Sequence, residues 1–311
     1  MKKIRVALIC GGWSSEKEVS IKSGEAVFKA LNKLKYDIKI IDPRNNLNEI
    51  ISSRAEIDIA FILLHGKYGE DGSIQGLFEL LGIPYVGSGV LASAMSMNKK
   101  VSKDVYRKAG LGVGKDVVLR KGEGADRKEI VKTVGLPAIV KPLTEGSSIG
   151  ISFCATEESL EYGIEKAFGY DSGIIIEEYI DGVEITCCVI GNSDIKAFPI
   201  IEIIPKDKHI IFDYEAKYRK GETEEICPAR ISSYVQEKVI EYAVCAHKAL
   251  GCRVWSRSDM IIKDKRVVML ETNTIPGMTE NSLFPLAART AGLSLSDLAD
   301  KLISLSLDRD K

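Results

Sequence analysis

Ile4-Arg5-Val6-Ala7-Leu8-Ile9-Cys10-Gly11-Gly12-Trp13-Ser14-Ser15-Glu16 contains the first apolar run of the chain. The run is short and stops at two glycines, as a buried strand does before a sharp turn. Helical periodicity follows at Val27, Ala30, Leu31 and Leu34, then come apolar runs at Ile38 to Ile41 and Ile57 to Leu64. This alternation predicts βαβ units on a parallel sheet covered on both faces. Ligands of such sheets sit at the carboxyl ends of the strands. Those ends are Gly11 to Glu16 and His65-Gly66-Lys67-Tyr68-Gly69-Glu70-Asp71-Gly72.

From about Ser93 to Glu178 the pattern becomes helix, strand, glycine-bearing turn, strand, helix and strand. Its centre is Ala138-Ile139-Val140-Lys141, a turn at Thr144-Glu145-Gly146-Ser147-Ser148, and Ile151 to Cys154. Two strands joined by such a loop predict a small α+β unit whose loop can cover a ligand. Strands rich in β-branched residues follow at Glu184 to Ile190 and Ile195 to Ile204. The polar segment 205–228 is longer than ordinary connections, which suits a lid or binding loop. A helix over Tyr234 to Leu250, strands at Asp259 to Ile262 and Arg266 to Leu270, and a helical end complete the chain. The expected units are an α/β domain over 1–92, a central α+β unit over 93–178 and a C-terminal unit over 179–311 containing that loop.

With 311 residues, the chain is long enough for two or three packed units. Its 43 basic and 44 acidic side chains nearly cancel, so no global field marks it for nucleic acid or an anionic membrane. Arg5 and the glycines interrupt the first apolar run too early for a secretory signal. No window approaches the ~18 to 20 apolar residues of a membrane span, so the cytoplasm is the expected compartment. The seven cysteines show neither a C-x-x-C pair nor a histidine at zinc spacing, and read as free thiols.

Three lysines stand out by position. Lys99 opens a helical stretch, Lys141 ends an apolar strand, and Lys217 lies in the long polar segment. Converging ammonium groups suit polyphosphate oxygens, and Lys141 leads directly into a Gly-Ser loop whose N-H groups can wrap a phosphate. Glu271 and Asn273 lie two apart on a strand and face one side, with Asp259 on the strand expected beside it. Hard oxygen ligands of this kind suit magnesium. Arg257 and Gly277 could hold a developing oxyanion. Each of these residues also has a structural reading, as a surface lysine, a polar hairpin end or a turn glycine.

A dinucleotide site is the main rival, because Gly11-Gly12 follows the first strand and Asp42 ends the second. The full G-x-G-x-x-G is missing, and Glu16 and Glu18 place carboxylates where a pyrophosphate would need bare N-H groups. A cationic group, such as a substrate ammonium, fits Glu16 better. No G-x-x-x-x-G-K-[ST] sequence occurs, which also disfavours a P-loop.

Taken together, the ordered segments resemble the D-alanine-D-alanine ligases of the ATP-grasp superfamily over nearly the whole chain. The resemblance is carried by Gly11-Gly12-x-Ser14-x-Glu16-x-Glu18-Val19-Ser20, His65-Gly66 to Gln75-Gly76, Met97-Asn98-Lys99 and Lys141-Pro142-x-x-Glu145-Gly146-Ser147-Ser148. It continues through Glu177 to Glu184, Asp213 to Tyr218, Cys227-Pro228-Ala229, Arg257-x-Asp259 and Glu271-x-Asn273-x-x-Pro276-Gly277-Met278-Thr279.

The resemblance implies a parallel-sheet domain followed by a two-part ATP-grasp fold, with ATP and two magnesium ions, for which manganese can substitute. Lys99, Lys141 and Lys217 would bind phosphates, and Glu177, Tyr179, Ile180 and Glu184 would line adenine and ribose. Asp259, Glu271 and Asn273 would hold the metal. Glu16, Val19 and His65 match the site of the first D-alanine, Ser282 and Leu283 that of the second, and Arg257 with Gly277 the oxyanion site. Glu16, Ser147 and Tyr218 match a hydrogen-bonded link that closes the long loop. The implied reaction joins two D-alanines through a D-alanyl phosphate, for peptidoglycan precursors, in a homodimer. D-lactate or D-serine is the alternative acceptor, and Tyr218 favours D-alanine. Asn98, where the family usually has Asp, and Val254, where Gly is common, depart from the pattern.

Overall fold

The computed structural model describes residues 2–124, 126–146, 149–205 and 223–308. Four strands form a parallel sheet: β1 (Ile4–Ile9), β2 (Tyr36–Ile41), β3 (Ile59–Ile62) and β4 (Tyr85–Val86), in the order β2-β1-β3-β4. Val6 to Ile9 and all of β3 are buried, as the unbroken apolar runs require of a sheet covered on both sides. The helix Lys17–Ala30 packs on β1 where Gly24 leaves no side chain. A Cβ there would lie 2.5 Å from Cys10 Sγ.

A second sheet is antiparallel: β5 (Asp116–Arg120), β6 (Ala138–Pro142), β7 (Ser152–Cys154) and β8 (Gly173–Glu178), in the order β5-β8-β6-β7. The helices Arg127–Val134 and Glu157–Phe168 pack on it through Ile130, Val134, Leu160 and Ala167. The sequence pattern contains β6, β7, β8 and the second helix. It does not reveal β5 or the helix Arg127–Val134, because β5 is an edge strand whose Val117-Val118-Leu119 neither alternates nor is fully buried.

The third sheet comprises β9 (Val183–Ile190), β10 (Lys196–Ala197), β11 (Ile201–Pro205), β12 (Thr223–Ile226), β13 (Trp255–Lys263) and β14 (Arg266–Asn273), ordered β12-β11-β9-β13-β14 with β10 beside β9. The expected strand over Ile195 to Ile204 is split around Phe198-Pro199-Ile200, where Pro199 has no N-H to give a ladder. The segment expected as a loop through Pro228 ends instead in strand β12, paired to β11. The hairpin of β13 and β14 runs further at both ends than the expected strands, so that Arg257 and Asn273 lie within it.

Two features join these layers. The last helix, Leu295–Leu307, returns to the first sheet and shares a core with Leu8 and Phe61 through Leu298, Leu302 and Ile303. Trp255, at the start of β13 and fully buried, meets Phe61 of β3 edge-on at 6.3 Å between ring centroids and Phe284 at 5.1 Å. It therefore ties the sheet that carries Arg257 to the sheet that carries His65 at its end. All seven cysteines are free thiols, as expected. Among the described residues, no helix is long and apolar enough to cross a membrane. Replacement of Trp255 by Ala is expected to cost about 3 to 5 kcal/mol in urea unfolding, since a large buried aromatic leaves a cavity between two layers. A loss under 1 kcal/mol would show that this contact does not join them.

Candidate active site

A cavity of about 730 Å³ opens between the second and third sheets. Lys99 and Lys141 line it, together with Glu177, Tyr179, Ile180, Glu184, Asp259 and Glu271. Four parts of the chain deliver these groups. Lys99 is the first residue of the helix Lys99–Lys108, whose N-cap is Asn98. The Asn98 side chain accepts from the N-H groups of Lys100 and Val101 at 3.1 Å, so amide in place of carboxylate keeps the cap. The Lys99 Nζ donates to the Glu145 carbonyl at 2.5 Å, tying helix to loop. Lys141, near the end of β6, pairs with Glu177 of β8 at 2.8 Å. Ile139, Phe153, Ile261 and Met269 give the cavity apolar walls.

At one end of the cavity the hairpin brings its acids together. Asp259 and Glu271 are cross-strand partners, as are Arg257 and Asn273. A bulge next to Asp259 lets Met269, Leu270 and Glu271 all reach the cavity, although strict alternation would turn Leu270 away. Asp259 accepts from Arg257 through both oxygens, Nε to Oδ1 at 3.0 Å and Nη2 to Oδ2 at 2.8 Å, and from Thr186 Oγ1 at 2.6 Å. Asp259 is buried, and the Arg257 side chain is 13% exposed. Asn273 Oδ1 accepts from the Ile275 N-H at 2.9 Å. Among the described residues no three His, Cys, Asp or Glu side chains gather at metal-binding spacing. Two carboxylates and an amide oxygen nevertheless fit magnesium, which fills its octahedron with water and phosphate oxygens.

Beyond this end lie the carboxyl ends of β1 and β3. Glu16, 5% exposed, occupies the N-cap position of the first helix. Its Oε2 would lie 3.2 Å from a Cβ on Gly146, a tight approach, and 3.5 Å from one on Gly66, an ordinary contact; at Gly66 it is the φ of +66° that favours glycine. His65 is buried. Burial pushes its pKa down, Glu16 opposes this, and Arg257 reinforces it, so the ring is neutral. Its Nε2 is buried and has no hydrogen-bond partner among the described residues. Glu70 accepts from the Gly66 N-H at 2.6 Å, and burial with Glu16 nearby pushes its carboxyl up to about 8. Neither Glu70 nor its role is signalled by the sequence beyond its place in the His65 to Gly72 loop.

Gly277 sits against Ser282: a Cβ there would be 2.8 Å from its Oγ. Ser282 Oγ accepts from the Thr279 N-H at 3.1 Å, and Leu283 begins the buried helix Leu283–Thr290. Val19, half-buried, lies in the first turn of the helix after Glu16. Val254 adopts φ +69°, a left-handed conformation that explains a glycine preference at this position. Ser147, Lys217 and Tyr218 lie outside the described residues.

The dinucleotide alternative loses its acid. Asp42 accepts from the Gly12 N-H at 2.9 Å and from Arg44 N-H at 3.0 Å, capping its own helix and holding the glycine turn. Lys103 is the clearest group the sequence reading missed. It lies one helical turn after Lys99, so i,i+4 spacing could have placed it on the same face.

Two family models match the chain: D-ala D-ala ligase N-terminus over residues 42–88 and D-ala D-ala ligase C-terminus over 105–304. The chain is 50% identical over 307 residues to a D-alanine-D-alanine ligase of Syntrophobacter fumaroxidans, covering 99% of both. It superposes on the ATP complex of the Bacillus anthracis D-alanine-D-alanine ligase with TM-score 0.86 at 37% identity, covering 98% of this chain and 97% of that one. It matches the D-Ala:D-Ser ligase VanG of Enterococcus faecalis equally well, with TM-score 0.86 at 35% identity, 98% and 100% covered.

Burial raises the pKa of Glu177, but Lys141 and Lys103 outweigh it and hold the carboxyl down at about 2. The unfolded value is about 4.3. The charged form therefore stabilises the fold above that value, and this contribution is lost as pH falls toward the folded value. Between pH 6 and pH 3, the stability of the wild type is expected to fall more steeply than that of Glu177→Gln in urea unfolding. Parallel profiles would contradict the assignment.

Proposed function

The chain belongs to the D-alanine-D-alanine ligase family, and from that premise we propose that it uses ATP to join two D-alanine molecules through a D-alanyl phosphate. The observation that carries this reading is the convergence just described. Two lysines and the cross-strand carboxylates Asp259 and Glu271 line one cavity, Arg257 binds Asp259 through both oxygens, and Glu16 lies against Gly146 of the cavity wall.

Each group has a chemical task. The Glu16 carboxylate takes the ammonium of the first D-alanine, which leaves that substrate's own carboxylate facing the nucleotide. An oxygen of that carboxylate attacks the γ-phosphorus, the bond to the β-γ bridging oxygen breaks, and ADP departs. Lys99 and Lys141 hold phosphate oxygens during this transfer, which demands positioning and charge stabilisation more than covalent help. Magnesium, held by Asp259, Glu271 and Asn273, supplies further charge neutralisation when bound. Lys217 would add a third cation.

The second step begins when the amine of the second D-alanine, having lost its proton, attacks the carbonyl carbon of the acyl phosphate. The Arg257 guanidinium and the Gly277 N-H stabilise the resulting oxyanion, and its collapse breaks the carbon-oxygen bond to release phosphate. Ser282 and Leu283 position the second substrate. Neutral His65, carrying an unpartnered nitrogen, donates to or accepts from the first substrate without adding a charge beside Arg257. The site must exclude water because an acyl phosphate hydrolyses. Orientation of the two substrates alone can supply roughly 7 to 11 kcal/mol.

The reading is tested by phosphate release from ATP with D-alanine alone or with D-alanine plus D-lactate or D-serine. Release with D-alanine alone is expected to dominate, and faster release with either other acceptor would reassign the specificity. Arg257→Ala and Glu271→Gln are each expected to lower D-alanine-dependent release about 100- to 1000-fold, with cooperative thermal unfolding retained. Turnover within a few-fold of wild type in either variant would remove that residue from the mechanism.

A further inference from the structure

The helix Lys99–Lys108 presents Lys99, Lys103 and Tyr106 on one side, at positions i, i+4 and i+7. Lys99 reaches the Glu145 carbonyl, and the Tyr106 hydroxyl donates to Thr272 Oγ1 of β14 at 2.7 Å, next to Glu271 in sequence. Lys103 stands between them and is 2% exposed. Its ammonium is ion-paired with Glu177 Oε1 and lies 3.4 Å from Asp116 Oδ1. The other Glu177 oxygen takes Lys141 at 2.8 Å. Asp116, with its side chain also buried, is paired with Arg107 and lies 3.5 Å from Lys100. A continuous row of charges thus runs from Lys141 through Glu177, Lys103 and Asp116 to Arg107.

We propose that Lys103 is a positioning residue for the nucleotide: it holds Glu177 by one oxygen so that Lys141, bound to the other, keeps its place and its net charge toward the phosphates. The proposal rests on the reading of the cavity as a nucleotide site. Its physical basis is charge balance in a dry environment. Lys141 and Glu177 alone would neutralise each other, and a lysine satisfied by its own carboxylate attracts phosphate weakly. A second ammonium on the same carboxylate leaves the trio with one positive charge. Both Glu177 oxygens are then occupied, so the carboxylate cannot turn to bind Lys141 through both. Asp116 anchors Lys103 from behind, and Arg107 and Lys100 balance Asp116. Because Lys103 also lines the cavity, a shift in its position is felt there directly.

A merely structural lysine would affect all substrates alike. A positioning role toward the nucleotide separates them. The experiment measures binding of the non-hydrolysable ATP analogue AMP-PNP with magnesium by calorimetry, and KM for ATP and D-alanine, in wild type, Lys103→Met and Asp116→Asn. Lys103→Met is expected to weaken analogue binding and raise the KM for ATP by about tenfold or more, equivalent to about 1.4 kcal/mol or more, with the KM for D-alanine within about twofold of wild type. Asp116→Asn, which keeps Lys103 but loosens its anchor, is expected to shift the same two quantities in the same direction by a smaller factor. If Lys103→Met does not fold, Asp116→Asn decides the matter. Analogue binding within twofold of wild type in the folded variants, or equal shifts in both KM values, would overturn the proposal. Failure of the wild type itself to bind the analogue would overturn the nucleotide reading beneath it.

Discussion

The site depends on the antiparallel pairing of β13 with β14. That register sets Asp259 opposite Glu271 and Arg257 opposite Asn273, so one hairpin delivers two carboxylates to the cavity with a guanidinium bound to one of them. A strand presents alternate side chains to one face at about 7 Å intervals, which lets so few residues do this. The bulge beside Asp259 adds wall residues without breaking the acid pair. The surrounding fold fixes this hairpin. Pairing of β13 to β9 runs along eight residues from Trp255 to Ile262, and Trp255 locks its start against the first sheet.

The second dependence is on close approach. Gly66 and Gly146 let two loops from different sheets meet the Glu16 carboxylate, and Gly24 lets the helix behind it lie directly on β1. A methyl group at Gly24 would collide with Cys10, and the φ of +66° at Gly66 disfavours any side chain there. Burial then sharpens the electrostatics. Glu177 is held charged by two lysines, whereas His65 is held neutral beside Arg257. In a dry pocket, charge is retained only where a partner supplies it.

Much of this was legible in the amino-acid order. The parallel sheet followed from unbroken apolar runs ending in glycine, and the placing of Glu271 and Asn273 on one strand from their two-residue spacing. The rival dinucleotide reading failed on Glu16 and Glu18 before Asp42 was seen to cap its own helix. What escaped the sequence had physical causes. Strand β5 is a partly exposed edge whose Val117-Val118-Leu119 lacks alternation. The bulge at β14 is a property of pairing, not of composition. Lys103 was hidden among neighbouring lysines, since only tertiary packing distinguishes a buried ammonium between two carboxylates from a solvated one. The same holds for Val254, whose positive φ gives a structural reason for a preference that the sequence alone could only register.

The central claim is that one amino acid, held through its ammonium by Glu16, turns its carboxylate toward the lysines, and that this carboxylate attacks phosphorus before any peptide bond forms. The most direct measurement is isotope transfer. With D-alanine labelled by ¹⁸O in its carboxylate, the account predicts that the inorganic phosphate released during dipeptide formation carries one ¹⁸O from the amino acid. Phosphate free of the label, formed at the same rate as dipeptide, would contradict it.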